Sequence, residues 1–276
     1  MPSFVSSSCG FVGEIRNPAL KIIAIALNTF RESVRDRVLY NLVLFVALIV
    51  VAASVIGRIA VGQEAKIIVD VGLSATSVFG LLIAIFIGIG LVSKEIERRT
   101  IAVILSKPVR RSQFILGKCF GLCLTLLVNT SAMAATVMLA LVFAKGGFDA
   151  AQLGLWPAAY LIFLELAVMT AVALLFSCFS SPALSALFTL LIFLIGRWSP
   201  DLKLFAETAE SALTRVVCRA LYHLLPNLAS FNFINEAAYG ESVPARLLAG
   251  NTVYAVCYVA ALLAAAVLIF ERRNFR

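Results

Sequence analysis

The chain has 276 residues, of which 62% are hydrophobic and 14% are charged, and its net charge is +8. A soluble domain carries roughly 45–50% apolar and about 25% charged residues, so this composition excludes an ordinary soluble protein. The apolar residues come in blocks of about 20, the length of a helix that crosses a bilayer core about 30 Å thick. Because lipid cannot satisfy exposed backbone amides, the sequence predicts an all-α, polytopic membrane protein.

The chain begins with a polar segment that is followed by an amphipathic helix. Residues 1–18 contain no continuous apolar stretch of the kind found in a signal peptide, so we expect a cytoplasmic N-terminal segment. Residues 19–37 carry an apolar stripe of Ile23, Leu27, Phe30 and Val34 and a polar stripe of Lys21, Asn28, Glu32 and Arg35. This pattern predicts an interfacial helix with its basic side toward the lipid headgroups, although a plain juxtamembrane anchor is an alternative.

Residues 38–276 form a predicted domain of six transmembrane spans. The spans cover residues 38–57, 71–92, 119–143, 155–179, 183–198 and 251–270. The second span contains Gly80, Gly88 and Gly90, whose small size permits close packing of helices. The fifth span has only about 16 residues, or about 24 Å, so Arg197 and Trp198 are expected at an interface.

The segment between the fifth and sixth spans, residues 200–250, is amphipathic rather than uniformly apolar. Apolar side chains recur there at helical spacing among charged ones, which predicts short helices. The first of these helices is expected to continue until Pro226 interrupts it, and a second is expected near residues 228–238.

The distribution of Lys and Arg predicts the orientation, because positive residues near span ends are retained in the cytoplasm. With the N-terminus inside, the inner segments hold fifteen of the 23 basic residues. These are Arg16, Lys21, Arg31, Arg35, Arg37, Lys94, Arg98, Arg99, Lys107, Arg110, Arg111, Lys118, Arg272, Arg273 and Arg276. We therefore expect both termini in the cytoplasm and residues 200–250 outside. This topology explains the positive charge, so membrane lipids are expected contacts and no nucleic-acid partner is implied.

The sequence predicts neither a catalytic site nor a metal site. Six cysteines are scattered along the chain and the only histidine is His223, so no ligand cluster or disulfide framework is indicated. No stretch matches the phosphate-binding pattern G-x-x-x-x-G-K-[ST], since Gly117 and Lys118 are followed by Cys119. We therefore expect this chain to bind no cofactor.

Glu165 is the one carboxylate in the middle of a predicted span. A charge at that depth costs at least about 2.5 kcal/mol unless it faces a cavity or a partner. Glu165 could line a translocation path together with Asn129 and Thr125, or it could be a structural glutamate that joins two helices. An ion-coupled carrier built around Glu165 is a weaker hypothesis, because the chain shows no convincing internal repeat.

The loop between the second and third spans, residues 93–118, holds an apolar helical turn between two basic clusters. Ile101, Ile104 and Leu105 follow the i, i+3, i+4 spacing of one helix face, and Pro108 ends the turn. An apolar turn in the cytoplasm is suited to a groove on a partner protein. The alternative is a turn that packs against this protein's own helices or the headgroups.

This loop resembles that of the type-2 exporter class of ABC transporter permeases, whose cytoplasmic coupling helix lies there. The matching residues are Glu95, Thr100, Leu105, Ser106, Pro108, Val109, Arg111, Gly117 and Lys118. Residues 31–42 and 270–275 also resemble that family's entry into its first span and its C-terminal end. Arg99 departs from the pattern, since a glycine commonly precedes the threonine.

The resemblance implies a permease subunit of the bacterial inner membrane. It would dimerise with an identical or paralogous copy, bind a separate cytoplasmic ABC ATPase and export a substrate by alternating access. The residues implied in coupling to the ATPase are Glu95, Arg98, Thr100, Ile101, Ile104, Leu105, Pro108 and Arg111. ATP and Mg would be bound by the partner, so this chain would not itself be an enzyme. A hypothesis of another class is a non-transporting regulatory subunit that passes an ATPase cycle to an extracytoplasmic partner. The substrate cannot be read from the fold.

Overall fold

The structure is a computed structural model that describes residues 18–33, 42, 44–49, 51, 63–97, 111–147, 150–208, 211–241 and 243–272. Every regular element within these ranges is helical, and none of the described residues forms a strand. The all-α prediction is therefore confirmed. Most of the predicted first span lies outside the described residues, but residues 44–49 are helical.

The described part of the chain contains the following α-helices in chain order. They are α1 Pro18–Ser33, α2 Glu64–Glu97, α3 Arg111–Lys145, α4 Leu155–Ser177, α5 Pro182–Arg197, α6 Ser199–Thr208, α7 Ala212–Leu224, α8 Ile234–Ala238 and α9 Ala245–Arg272. Short 3-10 helices cover Ala150–Gly154 and Leu228–Phe231.

Four of these helices, α2, α3, α4 and α9, are long and apolar enough to cross a membrane. Helices α5 and α6 pass the same test only as a pair, and a bend of 65° separates them. The described residues therefore contain four membrane-capable helices, or five if the bent pair is a single span.

Helix α4 lies at the centre of the bundle, where it contacts α2, α3, α5 and α9. It is apolar on every side, and most of its side chains are buried. A helix of this composition requires neighbours all around it, which explains why the bundle forms about α4.

Glycines on α2 allow it to approach α3 and α4 closely. A Cβ on Gly80 would lie 2.3 Å from a Leu166 methyl carbon, and one on Gly72 would lie 2.6 Å from Val137. A Cβ on Gly88 would make only an ordinary contact, and one on Gly90 would have no neighbour within 4 Å. The close packing expected from these glycines is confirmed at Gly80 and is wrong for Gly90.

Helix α1 packs across the beginning of α3 instead of contacting lipid alone. A Cβ on Gly117 would lie 2.7 Å from Ile25, and one on Gly121 would lie 2.6 Å from the Ala26 carbonyl oxygen. The two glycines are four residues apart on one face of α3, so they open a groove that holds α1.

The buried face of α1 differs from the face expected from its sequence. Thr29, Ser33 and Lys21 are buried, whereas Ile23 and Leu27 of the apolar stripe are about half exposed. The assignment of Lys21 to an exposed basic side was therefore wrong. Small polar side chains pack on α3 because they allow the two backbones to approach, and the apolar stripe remains available to lipid.

The amphipathic segment after α5 also differs from the expected single helix. It divides into α6 and α7, with Ser211 preceding α7, so the chain turns well before Pro226. The two helices pack against each other as a hairpin. After α7, the 3-10 helix Leu228–Phe231 returns to contact α4 and α5.

Candidate functional site: a buried ion pair shared by three helices

The most unusual feature inside the bundle is an ion pair between Glu165 of α4 and Arg197 at the end of α5. Arg197 Nη1 donates a hydrogen bond to Glu165 Oε1 at 2.7 Å. The Glu165 side chain is fully buried, whereas about a quarter of the Arg197 side chain is exposed. A charge-assisted hydrogen bond of this length is among the strong ones, and it offsets the cost of burying the carboxylate.

A third helix contributes to the same carboxylate. Ser77 of α2 donates its hydroxyl to Glu165 Oε2 at 3.4 Å. This distance is long for an O–H···O hydrogen bond, so the link to α2 is much weaker than the link to α5. The carboxylate thus joins α4 firmly to α5 and loosely to α2.

The local sequence explains how these side chains meet. Gly80, one turn after Ser77, lets α2 approach α4 at Leu166, the neighbour of Glu165. On α5, Phe193 lies one turn before Arg197, and the guanidinium carbon is 5.9 Å from the centre of its ring. This contact holds the cation over an aromatic face while the guanidinium reaches across to α4.

The ion pair also fixes the level at which α5 ends. Glu165 lies ten residues after the beginning of α4 at Leu155, which corresponds to about 15 Å along the helix. Because Arg197 contacts this carboxylate, the last turn of α5 lies about 15 Å from the beginning of α4, measured along the helix axis. The sequence placed Arg197 at an interface, but the structure places its guanidinium against the middle of a membrane-capable helix.

Thr125 and Asn129, the other two residues proposed for a translocation path, form no hydrogen bond with Glu165 or Arg197 in the described part of the chain. The Thr125 hydroxyl donates to the Gly121 carbonyl oxygen of its own helix at 2.9 Å. Asn129 is 3% exposed, and neither atom of its side-chain amide has a hydrogen-bond partner among the described residues. Asn129 is therefore a buried polar group whose cost is not offset.

Two hydroxyls of the second span have different roles in the structure. Ser77 makes the contact with Glu165, whereas Thr76 donates to the Gly72 carbonyl oxygen of its own helix at 2.8 Å. Only the first of these hydrogen bonds joins two helices.

The expected ATPase-coupling residues fall mostly outside the described part of the chain. Residues 98–110 lie there, including Arg98, Thr100, Ile101, Ile104, Leu105 and Pro108. Glu95 lies near the end of α2, and Arg111 begins α3. The structure therefore places the two helices that flank this segment, and the docking role of the turn stays a prediction.

Sequence reasoning identified Glu165 but did not identify Arg197 as its partner. A signal was present, because an arginine at the end of an apolar helix needs a partner if that helix is too short to reach the membrane surface. The fifth span was recognised as short, but its arginine was assigned to the interface. The Gly117 and Gly121 spacing on α3 was the second missed signal.

A bundle of membrane-capable helices with a buried ion pair between two of its members defines an integral membrane protein. The chain matches the family described as ABC-2 family transporter protein over residues 23–275, and it belongs to that family. It is accordingly an ABC-2 type permease, the membrane component of an ABC transporter. Membrane components of this family associate with an ABC ATPase and are generally not enzymes themselves. A comparison with curated proteins found no match.

Proposed function

We propose that this chain is the membrane-spanning subunit of an ATP-driven exporter and that it couples ATP hydrolysis by a partner chain to substrate movement. The observation that carries the proposal is the family membership together with the loop that the family uses for coupling. The partner binds ATP and Mg, and this chain binds no cofactor of its own.

The helices that flank the coupling segment are suited to transmit motion. Helix α2 has 34 residues and α3 has 35 residues. At 1.5 Å per residue each is about 50 Å long, which exceeds a hydrocarbon core of about 30 Å. Both can therefore extend beyond the bilayer as continuous levers, and a force on residues 98–110 would act on the ends of both helices at once.

The contacts within the bundle suggest which helices move together. The strong ion pair favours α4 and α5 as one unit. Helix α1 would move with α3, because Gly121 leaves no space between their backbones.

The remaining elements of the proposal concern topology and assembly. The chain would cross the membrane six times, and the excess of basic residues in one set of segments favours both termini in the cytoplasm. The family resemblance favours the inner membrane of a bacterium. A second permease copy, identical or paralogous, would complete the translocation path, as the family resemblance implies.

Co-purification tests the docking of the ATPase. A tagged chain is isolated from native membranes as wild type and as the Leu105→Asp variant, and the ATP-binding protein that accompanies it is identified by mass spectrometry. Val103→Asp is the matched control, since helical spacing predicts that residue 103 faces away from the side shared by Ile101, Ile104 and Leu105. We expect Leu105→Asp to lose the ATPase and Val103→Asp to keep it. Equal recovery with both variants would contradict the docking assignment.

A second measurement separates an exporter from a non-transporting regulatory subunit. The assembly is reconstituted in vesicles, and its ATP hydrolysis is measured with candidate small substrates and with extracts of extracytoplasmic proteins. An exporter responds to a transported small molecule, whereas a regulatory subunit responds only to a protein partner.

A further inference from the structure

A cavity of about 140 Å³ lies at the end of the bundle opposite to residues 98–110. It is found where α2 and α4 begin and α3 ends, and α8 with the turn after it forms the remaining wall. Gly240 in this turn has a φ of 77°, which lies in the left-handed region that favours glycine. The topology expected from the basic residues places this end of the bundle outside the cytoplasm.

Most of the cavity wall is apolar, and small side chains leave the space inside it. An engineered cavity of about 150 Å³ with an apolar lining holds one benzene molecule in another protein. The cavity described here therefore accepts an apolar body of about six heavy atoms. The apolar residues of the wall are Val69, Leu141 and Leu155, which are buried, and Ala65, Ala237 and Ala238.

Positive charge lies at the polar part of the wall. Lys145, an exposed residue, is the one charged side chain among the described residues that line the cavity. Lys66 adds a second cation, since its Nζ is 3.6 Å from the centre of the Tyr239 ring and this ring belongs to the wall. Glu64 and Glu236 lie on the same elements but do not line the cavity. The wall therefore favours an anionic group on a ligand.

Gln152 supplies a second polar group to the wall. It is 3% exposed, and its Nε2 donates a hydrogen bond to the Gly147 carbonyl oxygen at 3.2 Å. Its Oε1 has no hydrogen-bond partner in the described part of the chain. A buried acceptor without a partner is costly, and the terminal torsion of a glutamine is soft. A hydroxyl group on a ligand in the cavity would satisfy this oxygen after a small rotation of the amide.

We propose that this cavity binds a small hydroxylated organic anion. The apolar body of the ligand fills the space between α2, α3 and α8, its anionic group contacts Lys145, and its hydroxyl donates to Gln152. An apolar wall with a few polar groups that fix the orientation is the usual composition of a ligand pocket. The cavity and the segment expected to dock the ATPase lie at opposite ends of α2 and α3, so this chain binds the anion without a partner.

Fluorine NMR with the full-length chain in detergent tests the proposal. The two probes are a fluorinated hydroxybenzoate and a fluorinated phenol, which has the same ring and hydroxyl but lacks the carboxylate. Binding of each probe is titrated with the wild type and with the Lys145→Gln and Ala238→Phe variants. Lys203→Gln is the matched control, because Lys203 is an exposed lysine on α6 that does not line the cavity.

We expect Lys145→Gln to weaken binding of the hydroxybenzoate about tenfold, the effect of one lost charge-assisted hydrogen bond, and to leave binding of the phenol unchanged. Ala238→Phe should abolish binding of both probes because its ring fills the cavity. Lys203→Gln should bind both as the wild type does.

Three results would overturn the proposal. The first is a wild-type chain that shows no saturable binding of the hydroxybenzoate. The second is an equal effect of Lys145→Gln and Lys203→Gln, since the anion would then respond only to surface charge. The third is unchanged binding to a folded Ala238→Phe variant. If Ala238→Phe does not fold, the comparison of the two lysine variants decides, because both lysines are exposed.

Discussion

Replacing Arg197 should destabilise this protein more than replacing Glu165, because the two partners are buried to different extents. Arg197→Met leaves a fully buried carboxylate that, among the residues the structure describes, keeps only the 3.4 Å hydrogen bond from Ser77. Removing one partner of a buried pair costs about 3–5 kcal/mol. Glu165→Gln instead keeps a side-chain oxygen that can accept a hydrogen bond from the guanidinium, which is itself a quarter exposed, so we expect a smaller loss of about 1–2 kcal/mol.

Thermal unfolding of the purified protein in detergent measures this difference. At 2–4 °C per kcal/mol, Arg197→Met should lower the melting temperature by roughly 6–20 °C, and the Glu165→Gln, Arg197→Met double variant should recover most of that loss. Recovery is expected because the double variant no longer contains an unpaired buried charge. A melting temperature for Arg197→Met that equals the wild-type value would refute the reasoning, as would a double variant whose loss equals the sum of the single losses.

Two further predictions follow from buried groups elsewhere in the bundle. Asn129→Leu should raise the melting temperature, because it removes a buried amide that has no hydrogen-bond partner among the described residues. Burying such a group costs about 1–3 kcal/mol of folding free energy. A lower melting temperature would contradict this explanation. Gly121→Leu should separate α1 from α3, because its first side-chain atom would lie 2.6 Å from the Ala26 backbone oxygen, whereas Gly90→Leu meets open space. Cysteine cross-linking between α1 and α3 measures the separation, and equal cross-linking in the two glycine variants would show that this crossing is not tight.

The sequence was sufficient to predict the class of fold because the apolar blocks have the length that a bilayer demands. It also identified Glu165, since a carboxylate in an apolar helix is conspicuous without any structure. The short fifth span was another reliable signal, and the structure relates it to the 65° bend before α6.

The sequence was not sufficient to predict the pairing of side chains across helices. Glu165 and Arg197 are 32 residues apart, and their contact depends on how deeply α5 is set against α4. The face of α1 was misassigned for a related reason. Apolar periodicity indicates which side of a helix avoids water, but that side can face either lipid or another helix. Small residues such as Gly117 and Thr29 are therefore the better guide to helix packing.

The central claim is that ATP hydrolysis by a partner chain is coupled through this one, and ATPase activity in reconstituted vesicles tests it most directly. The partner ATPase is measured alone, with the wild-type permease, and with the Leu105→Asp and Val103→Asp variants at equal insertion. We predict that the wild-type permease and Val103→Asp change the rate of ATP hydrolysis severalfold and that Leu105→Asp does not. A partner ATPase whose rate is the same with and without this chain would contradict the account.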